Sequence, residues 1–271
     1  MIKKETFMLC SGITEEEAKK LDSTKYISQR KYDGERLITA VIGGEAIMVN
    51  RREKICNLHF REVVEDFKKL NVDCILDGEV ISPNDDFALL QRRALTKNPI
   101  KIKALEKEVP VKYMLFDVLK IGTEDLRGLP LSERLARLQS LISPIKFDFV
   151  EVAATGEIKP MLELAHKEDR EGIIVKDLRG IYEGRRSKLW KKLKFFLETT
   201  LIVSKYELNP KGMTVEDEEG NRVAVNGEQH NELKGLIDTQ GKVEIFVQFL
   251  EKTPDNRLRF PSYRGIKRAV Q

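Results

Sequence analysis

Lys31-Tyr32-Asp33-Gly34-Glu35-Arg36 follows a β-like run and brings a lysine, an acid, a glycine and an arginine together in one short stretch. A lysine amine beside an acid and a turn-forming glycine can attack a phosphorus centre when its neighbours hold it unprotonated. The Lys-x-Asp-Gly pattern is short, however, and a surface lysine ahead of an Asp-x-Gly turn has the same sequence. The fragments that come later in the chain decide between these two interpretations.

Five further fragments follow this pattern along the chain, each joining charged residues to apolar, strand-like neighbours. In order they are Asn50-Arg51-Arg52, Asp77-Gly78-Glu79, Phe116-Asp117, Glu171-Gly172-Ile173-Ile174-Val175-Lys176 and Leu189-Trp190-Lys191-Lys192-Leu193-Lys194. Each fragment is a weak signal by itself, whereas the ordered set is a strong one.

The bulk composition excludes several classes of protein. With 271 residues, 34% charged and 41% hydrophobic, the chain is long enough for one large domain and one small one, and its composition is typical of soluble globular proteins. It contains no apolar run of membrane-spanning length and its first residues lack a signal-peptide core, so we expect no membrane association. Three scattered cysteines, Cys10, Cys56 and Cys74, argue against a disulfide framework or a zinc site and favour a cytoplasmic, reducing location.

The positive charge is unevenly distributed. The net charge is only +4, and from Thr199 onward acidic and basic residues are equal in number. Much of the excess lies in the basic segment 183–194, where Leu189-Trp190 interrupts the charges. Such a run is usually a solvated face, but the apolar pair also suits a strand that faces a cleft.

The hydrophobic pattern predicts antiparallel strands and segregated helices, which is an α+β fold. The predicted strands are a hairpin with the turn Gly43-Gly44, followed by Ile75–Ile81, Val111–Leu119 and Gly172–Lys176. The predicted helices are one capped by Thr14, one over Phe60–Leu70, one near Phe87–Leu95, and one over Leu131–Leu141 entered through Ser132 as a cap.

The pattern changes after residue 197. Short strands at Leu201–Glu207, Met213–Glu216, Arg222–Val225, Val243–Leu250 and Leu258–Phe260 surround one helical segment, Glu228–Ile237. Five strands and one helix are the elements of an OB-fold barrel. We therefore predict two domains, 1–197 and 198–271.

The six ordered fragments resemble the covalent nucleotidyltransferases, namely ATP-dependent DNA ligases, RNA ligases and messenger-RNA capping enzymes. The resemblance extends from about Met8 to Tyr263, and Arg259-Phe260-Pro261-Ser262-Tyr263 looks like an Arg-Phe-Pro-x-aromatic segment of many DNA ligases. It implies a nucleotidyltransferase domain of ATP-grasp-like antiparallel sheets with helices, followed by an all-β OB-fold domain.

The resemblance also implies a reaction, in which Lys31 attacks the α-phosphate of ATP, forms a lysyl-AMP phosphoramidate and releases pyrophosphate. Lys192 and Lys194, with bound Mg²⁺ or Mn²⁺, would favour the uncharged amine and stabilise the phosphate. Asp33 would orient Lys31 or the incoming 3′-hydroxyl, with a turn-capping aspartate as the alternative.

Further roles follow from the resemblance. Phe116 would stack on adenine, Glu79 would contact the ribose hydroxyls, Glu171 would hold the metal together with Glu79, and Lys176 would contribute to the nucleotide site. Many ligases have a glutamate two residues before the lysine, where it contacts the base. This chain has Gln29 at that position, so the identity of the base stays open. The residues expected to contact sugar, phosphate or nucleic acid are Arg36, Arg51, Arg52 as a register alternative, Arg186, Arg259 and Arg264.

The resemblance is to a minimal, monomeric ATP-dependent DNA ligase that seals nicks in duplex DNA, because the chain before Lys31 is too short for the additional DNA-binding domain of larger ligases. The terminal Arg-x-Asp-Lys motif of larger ligases is absent, and Arg264, Lys267 or Arg268 would have to replace it. The alternatives are an RNA ligase, a GTP-dependent capping enzyme, and a noncatalytic OB-containing nucleic-acid binder.

Overall fold

The computed structural model describes residues 6–82, 87–168, 170–227 and 229–267. The chain forms two compact units, Met1–Leu193 and Lys194–Gln271. Both units combine helices with largely antiparallel strands, as the sequence pattern predicts. The division lies four residues before the predicted domain boundary at 197.

The first unit contains two β-sheets. In chain order, its strands are β1 (Leu9–Gly12), β2 (Tyr26–Arg30), β3 (Glu35–Ile42), β4 (Glu45–Asn50), β5 (Cys74–Ile81), β6 (Lys112–Ile121), β7 (Glu124–Asp125), β8 (Val150–Val152), β9 (Thr155–Gly156), β10 (Gly172–Asp177) and β11 (Arg186–Lys194), whose last residue begins the second unit. One sheet has the order β1-β11-β10-β2-β9, and the other has the order β4-β3-β5-β6-β7 with β8 added beside β6.

Six helices accompany these sheets. They are α1 (Glu15–Lys19), α2 (Arg61–Phe67), α3 (Phe87–Ala94), α4 (Pro99–Glu108), α5 (Leu131–Ile142) and α6 (Ile158–Lys167). The Thr14 capping box of α1 is confirmed, whereas the predicted Ser132 cap is wrong. Helix α5 starts at Leu131, and Pro130 occupies the N-cap position, two residues before Ser132. The backbone amides of Leu131 and Ser132 donate to the carbonyls of Gly180 and Leu178. These backbone acceptors satisfy the start of the helix without a side-chain cap.

The six-stranded sheet has apolar residues on both faces because successive β6 side chains point to opposite sides. Tyr113 and Leu115 lie in the main core with α2 and α5. Met114 and Phe116 lie in a second core with Trp190 of β11. This second core therefore joins residues of the two sheets.

The Lys31–Arg36 segment connects the two sheets. β2 ends at Arg30, β3 begins at Glu35, and Lys31 to Gly34 form the link between them. A side chain at Gly34 would lie 2.1 Å from the Val80 carbonyl oxygen, so only glycine fits this crossing. The same stretch therefore carries the candidate nucleophile and fixes the path between the sheets.

The second unit contains one five-stranded sheet, a small hairpin and a helix. Its elements are β12 (Leu197–Asn209), β13 (Gly212–Asp217), β14 (Arg222–Asn226), α7 (Gln229–Gln240), β15 (Val243–Phe249), β16 (Glu251–Lys252), β17 (Leu258–Arg259) and β18 (Ser262–Ile266). The sheet order is β14-β13-β12-β15-β18, and β14 also contacts β18. The strand predicted over Leu258–Phe260 is present as β17, but it pairs with β16, and the fifth strand of the sheet is instead β18, which pairs with β15. The predicted helix start at Glu228 lies outside the described residues.

Candidate functional site

Lys31 and Glu171 form an ion pair although 140 positions separate them in the chain. Strands β2 and β10 are antiparallel, with Arg30 opposite Ile173, so Lys31, the residue after β2, lies opposite Gly172 at the start of β10 and next to Glu171. The Lys31 backbone amide also donates to the Gly172 carbonyl at 3.0 Å. Both side chains are largely buried, with 18% of Lys31 and 7% of Glu171 exposed.

Glu79 lies beside this ion pair. It occupies β5 opposite Arg36 of β3, and its carboxylate accepts the Gly34 backbone amide at 3.0 Å. Part of the residue reaches the surface, but its carboxyl is enclosed by protein atoms. Burial raises the pKa of Glu79 to about 7, with Glu171 adding to the rise and Lys31 opposing it. Near neutrality this carboxyl can therefore exist in either protonation state.

Lys176 is a buried amine held by aromatic rings. Its Nζ lies 3.9 Å from the Trp190 ring centroid and 4.6 Å from that of Phe116, and it has no hydrogen-bond partner within the described parts of the chain. Burial lowers the pKa of Lys176 to about 8, although Asp117 and Asp77 favour its charge. A buried amine without a partner is costly, and a bound acceptor would relieve that cost.

Arg36 is held by protein groups. Its Nε and Nη2 donate to the two Asp77 carboxylate oxygens at 3.0 and 2.6 Å, and its Nη1 donates to the Met8 carbonyl at 2.6 Å. Tyr182 donates its hydroxyl to Asp77 at 2.6 Å and accepts the Met8 amide at 3.2 Å. Arg36 thus ties β3, β5 and the segment before β1 together, and its predicted contact with sugar and phosphate stays a prediction.

A further buried ion pair, between Arg134 and Asp117, involves the residue that follows Phe116. Arg134 of α5 donates Nε and Nη2 to the Asp117 carboxylate at 2.8 and 2.9 Å, and both side chains are fully buried. Burial raises the pKa of Asp117, although Arg134 opposes the rise. Because Phe116 precedes Asp117 on β6, this pair anchors the strand that carries the aromatic ring.

Three further predicted residues of the first unit, Gln29, Lys192 and Asp33, differ in how far they are buried. Gln29 is buried on β2, with its Nε2 at 3.5 Å from the Ala153 carbonyl. Lys192 lies opposite Gly12 in the β1–β11 pairing, and Asp33 is partly buried in the link that follows Lys31. Their predicted roles stay predictions.

Three predicted arginines of the first unit are exposed. Arg51 and Arg52 lie in the turn after β4, which Asn50 organises by accepting the backbone amides of residues 52 and 54 through its side chain. Arg186 begins β11 and donates to the Cys10 carbonyl. These side chains are accessible to a polyanion.

The predicted basic residues of the second unit mostly have partners. Lys194 lies with its Nζ 5.6 Å from the Phe260 ring centroid, and Arg259 pairs with Glu251. Arg264 donates to Gln248, and Lys267 pairs with Glu244 at 2.9 Å. Arg268, the third candidate to replace the terminal motif, lies outside the described residues.

Sequence reasoning assigns no role to two partners of the site, Asp77 and Tyr182. Tyr182 lies in an irregular segment, and Asp77 precedes the fragment residue that we singled out, Glu79. The alternation of a strand could indicate Asp77, because residues 77 and 79 lie on the same face. Tyr182 becomes visible only once the fold is formed.

The described parts of the chain contain no group of three or more histidine, cysteine, aspartate or glutamate residues suited to a metal ion. They also contain no helix that is long and apolar enough to cross a membrane.

The family model for the ATP-dependent DNA ligase domain matches residues 7–194, which is most of the chain and includes every group described in the first unit. The chain belongs to the ATP-dependent DNA ligase family. The family predicted from the six ordered fragments is thereby confirmed.

Curated DNA ligases are similar to this ligase-family chain over about two thirds of its length. DNA ligase 2 of Thermofilum pendens is 31% identical over 63% of the chain and 30% of its own length. The DNA ligase of Natronomonas pharaonis is 35% identical over 65% of the chain and 33% of its own length. DNA ligase C2 of Mycolicibacterium smegmatis is 29% identical over 67% of the chain and 53% of its own length. The matched segment thus spans about a third to a half of these relatives.

Solved ligase structures share the fold over nearly the whole chain. A Lig E DNA ligase described as binding DNA with a minimal scaffold gives a TM-score of 0.71 at 17% identity, covering 98% of this chain and 100% of the other. The ligase domain of M. tuberculosis LigD gives a TM-score of 0.60 at 20% identity, covering 96% and 94%.

Proposed function

We propose that this ligase-family chain seals nicks between a 5′-phosphate and a 3′-hydroxyl in duplex DNA, with ATP as the adenylate donor. The observation that carries the proposal is the meeting of Lys31, Glu171 and Glu79 at the junction of two sheets, beside the buried amine of Lys176. These residues come from three of the six ordered fragments. A structural role alone would not require a lysine grouped with two buried carboxylates, nor a second buried lysine on β10 that has no hydrogen-bond partner in the described residues.

The proposed reaction has three steps. Lys31 Nζ bonds to the α-phosphorus of ATP, the bond from that phosphorus to the bridging oxygen breaks, and pyrophosphate leaves. An oxygen of the DNA 5′-phosphate then attacks the adenylate phosphorus and the phosphorus–nitrogen bond breaks. The 3′-hydroxyl finally attacks the 5′-phosphorus, so that AMP leaves and a phosphodiester forms. Lys192 supports the charge on the phosphate in the first step.

The donor groups fit nucleotide and metal. Lys176 offers a buried donor that has no acceptor in the described parts of the chain, and the Phe116 ring beside it offers an apolar surface for a base. Glu79 and Glu171 would hold Mg²⁺ or Mn²⁺, because magnesium in proteins is commonly bound by one or two carboxylates together with substrate phosphates. When bound, the ion would neutralise phosphate charge and compete for Glu171, leaving the Lys31 amine free to lose its proton.

We infer that the second unit is an OB-fold domain that contributes to DNA binding, with functional domains at 1–197 and 198–271. The order β14-β13-β12-β15-β18, the contact of β14 with β18, and helix α7 between the third and fourth strands support this inference. Arg51, Arg52, Arg186 and Arg264 are exposed cations for phosphate contacts.

Intact mass spectrometry after incubation with ATP and magnesium tests the chemistry. The wild-type chain should gain one adenylate, Lys31→Ala should gain none, and Lys188→Ala, which removes an exposed lysine of β11, should behave as wild type. Equal labelling of wild type and Lys31→Ala would overturn the assignment of the nucleophile.

Substrate tests separate the remaining alternatives. We expect labelling with ATP but not with GTP, which distinguishes the chain from a capping enzyme. A nick with a DNA 3′-hydroxyl strand should be sealed faster than one with an RNA strand, and the reverse order would favour an RNA ligase. Binding of nicked duplex without adenylylation would favour the noncatalytic binder.

A further inference from the structure

Helix α4 and the turn before it carry an exposed surface of four lysines that no fragment of the ligase pattern includes. The lysines are Lys97, Lys101, Lys103 and Lys107, and we call this surface the α4 lysine face. None of the four makes an ion pair in the parts of the chain that the structure describes. Leu95 and Ile100 lie among them with 65% and 81% of their surface exposed.

Two of the lysines and two acids lie at the unfavourable ends of the α4 dipole. The first turn contains no acid, while Glu106 and Glu108 lie in the last turn beside Lys107. Positive charge near a helix N-terminus and negative charge near its C-terminus are both unfavourable. Glu106 and Glu108 pair with Arg61 and Arg92, and Lys107 is favoured by the dipole, whereas Lys97 and Lys101 at the N-terminal end have no acidic partner in the described residues. A polyanion over the α4 lysine face would compensate them.

The backbone that carries this surface is held at both ends of α4. Arg93, fully buried, donates to the His59 carbonyl at 2.8 Å, the Val109 carbonyl at 2.7 Å and Glu62 at 2.6 Å. His59 Nε2 donates to the Thr96 carbonyl at 3.0 Å, which fixes the turn before α4. These bonds fix the positions from which the lysines project, while the exposed side chains themselves become ordered only on binding.

We propose that the α4 lysine face binds the phosphate backbone of the duplex that flanks the nick. This rests on the proposed function, since nicked duplex DNA is the polyanion that the reaction requires. Charge complementarity supports this occupant, because three lysines on the exposed side of α4 and one just before it, without acidic partners in the described residues, suit the closely spaced phosphates of a duplex. Leu95 and Ile100 would then lie against the apolar faces of the deoxyribose rings.

The test compares two variants that remove the same charge. One replaces all four residues of the α4 lysine face with Gln, and the control replaces four exposed lysines elsewhere in the first unit, Lys120, Lys146, Lys159 and Lys167. Gln and Lys have similar helix propensities, so both variants should fold. Binding is measured over a range of salt concentrations with a nicked duplex that ends in a 3′-dideoxynucleotide, without divalent cation.

For the α4 variant, the slope of log K against log salt should become shallower by about 0.9 for each phosphate that the protein no longer neutralises, hence by about 1.8 to 3.6 for two to four phosphates. The control should keep a slope closer to that of wild type. An unchanged slope in the α4 variant, with normal adenylylation of Lys31, overturns this inference alone. Absence of adenylylation in the wild-type chain would instead defeat the proposed function.

Discussion

Glu79→Gln should make the first unit more stable at alkaline pH, which is unusual for a change inside a candidate active site. Burial raises the pKa of Glu79 from 4.5 to about 7. Between those values the folded protein holds a proton on this carboxyl that the unfolded chain has released. Stability therefore falls as pH rises through this window, since it decreases wherever the native state binds more protons than the unfolded state.

The size of the effect follows from the shift. A rise from 4.5 to about 7 corresponds to roughly 3 kcal/mol at 1.36 kcal/mol per pKa unit, an upper limit because part of Glu79 reaches the surface. Gln is uncharged at every pH and its amide oxygen can still accept the Gly34 amide. The variant should therefore approach wild-type stability near pH 4.5 and exceed it by up to about 3 kcal/mol at pH 8.

Trp190 makes the measurement specific for the first unit. It is the only tryptophan of the chain, it is 3% exposed, and it packs in the second core with Phe116 and Tyr182. Urea unfolding followed by its fluorescence from pH 5 to 8, without nucleotide or metal, gives the difference directly. Glu163→Gln, on the exposed side of α6, is the control. A Glu79→Gln variant that is equally or less stable than wild type at pH 8 would refute the reasoning.

Three further substitutions test residues that hold the elements of the first unit in place. Asp117→Asn leaves the buried Arg134 without its anion and should lower the free energy of unfolding by about 3 to 5 kcal/mol in urea titrations. Gly34→Ala places a Cβ 2.1 Å from the Val80 carbonyl oxygen, so it should displace the link Lys31–Gly34 and slow adenylylation by about 10²-fold in single-turnover assays. Thr14→Ala removes an exposed helix cap and should cost only about 1 kcal/mol, with adenylylation unchanged. An adenylylation rate of Gly34→Ala equal to that of wild type would contradict the close approach of residue 34 to the Val80 carbonyl.

Local signals in the sequence predict the elements with strong periodicity. The β3–β4 hairpin is confirmed, because alternating apolar residues flank a glycine pair whose φ angles are +59° and +79°. Helix α4 is absent from the predicted elements although Asn98 and Pro99 are a cap and first-turn signal, since the apolar residues of α4 are few. The fifth strand of the sheet in the second unit, β18, is not predicted because its sequence Ser262–Ile266 contains Arg264 and Gly265 and lacks a clear apolar alternation.

The order of the fragments predicts the site better than any single residue does. Lys31 and Glu171 are distant in sequence, and only the antiparallel pairing of β2 with β10 brings them together. The supporting pairs could not be predicted in the same way, because the partner of Arg36 could be any of several acids. Such pairings depend on tertiary packing, which local patterns do not encode.

The two shifted groups of the site have a common consequence for binding. Burial favours the neutral forms of both Glu79, with a pKa of about 7, and Lys176, with a pKa of about 8. If nucleotide and divalent ion bind as proposed, phosphate oxygens favour a proton on Lys176, while the cation favours its loss from Glu79. When nucleotide binds with metal, proton uptake by Lys176 and proton release from Glu79 then offset each other. When nucleotide binds without metal, only the uptake by Lys176 takes place. With such binding, we predict that the site would distinguish free nucleotide from its metal complex by charge balance, because only the complex supplies a partner for both groups.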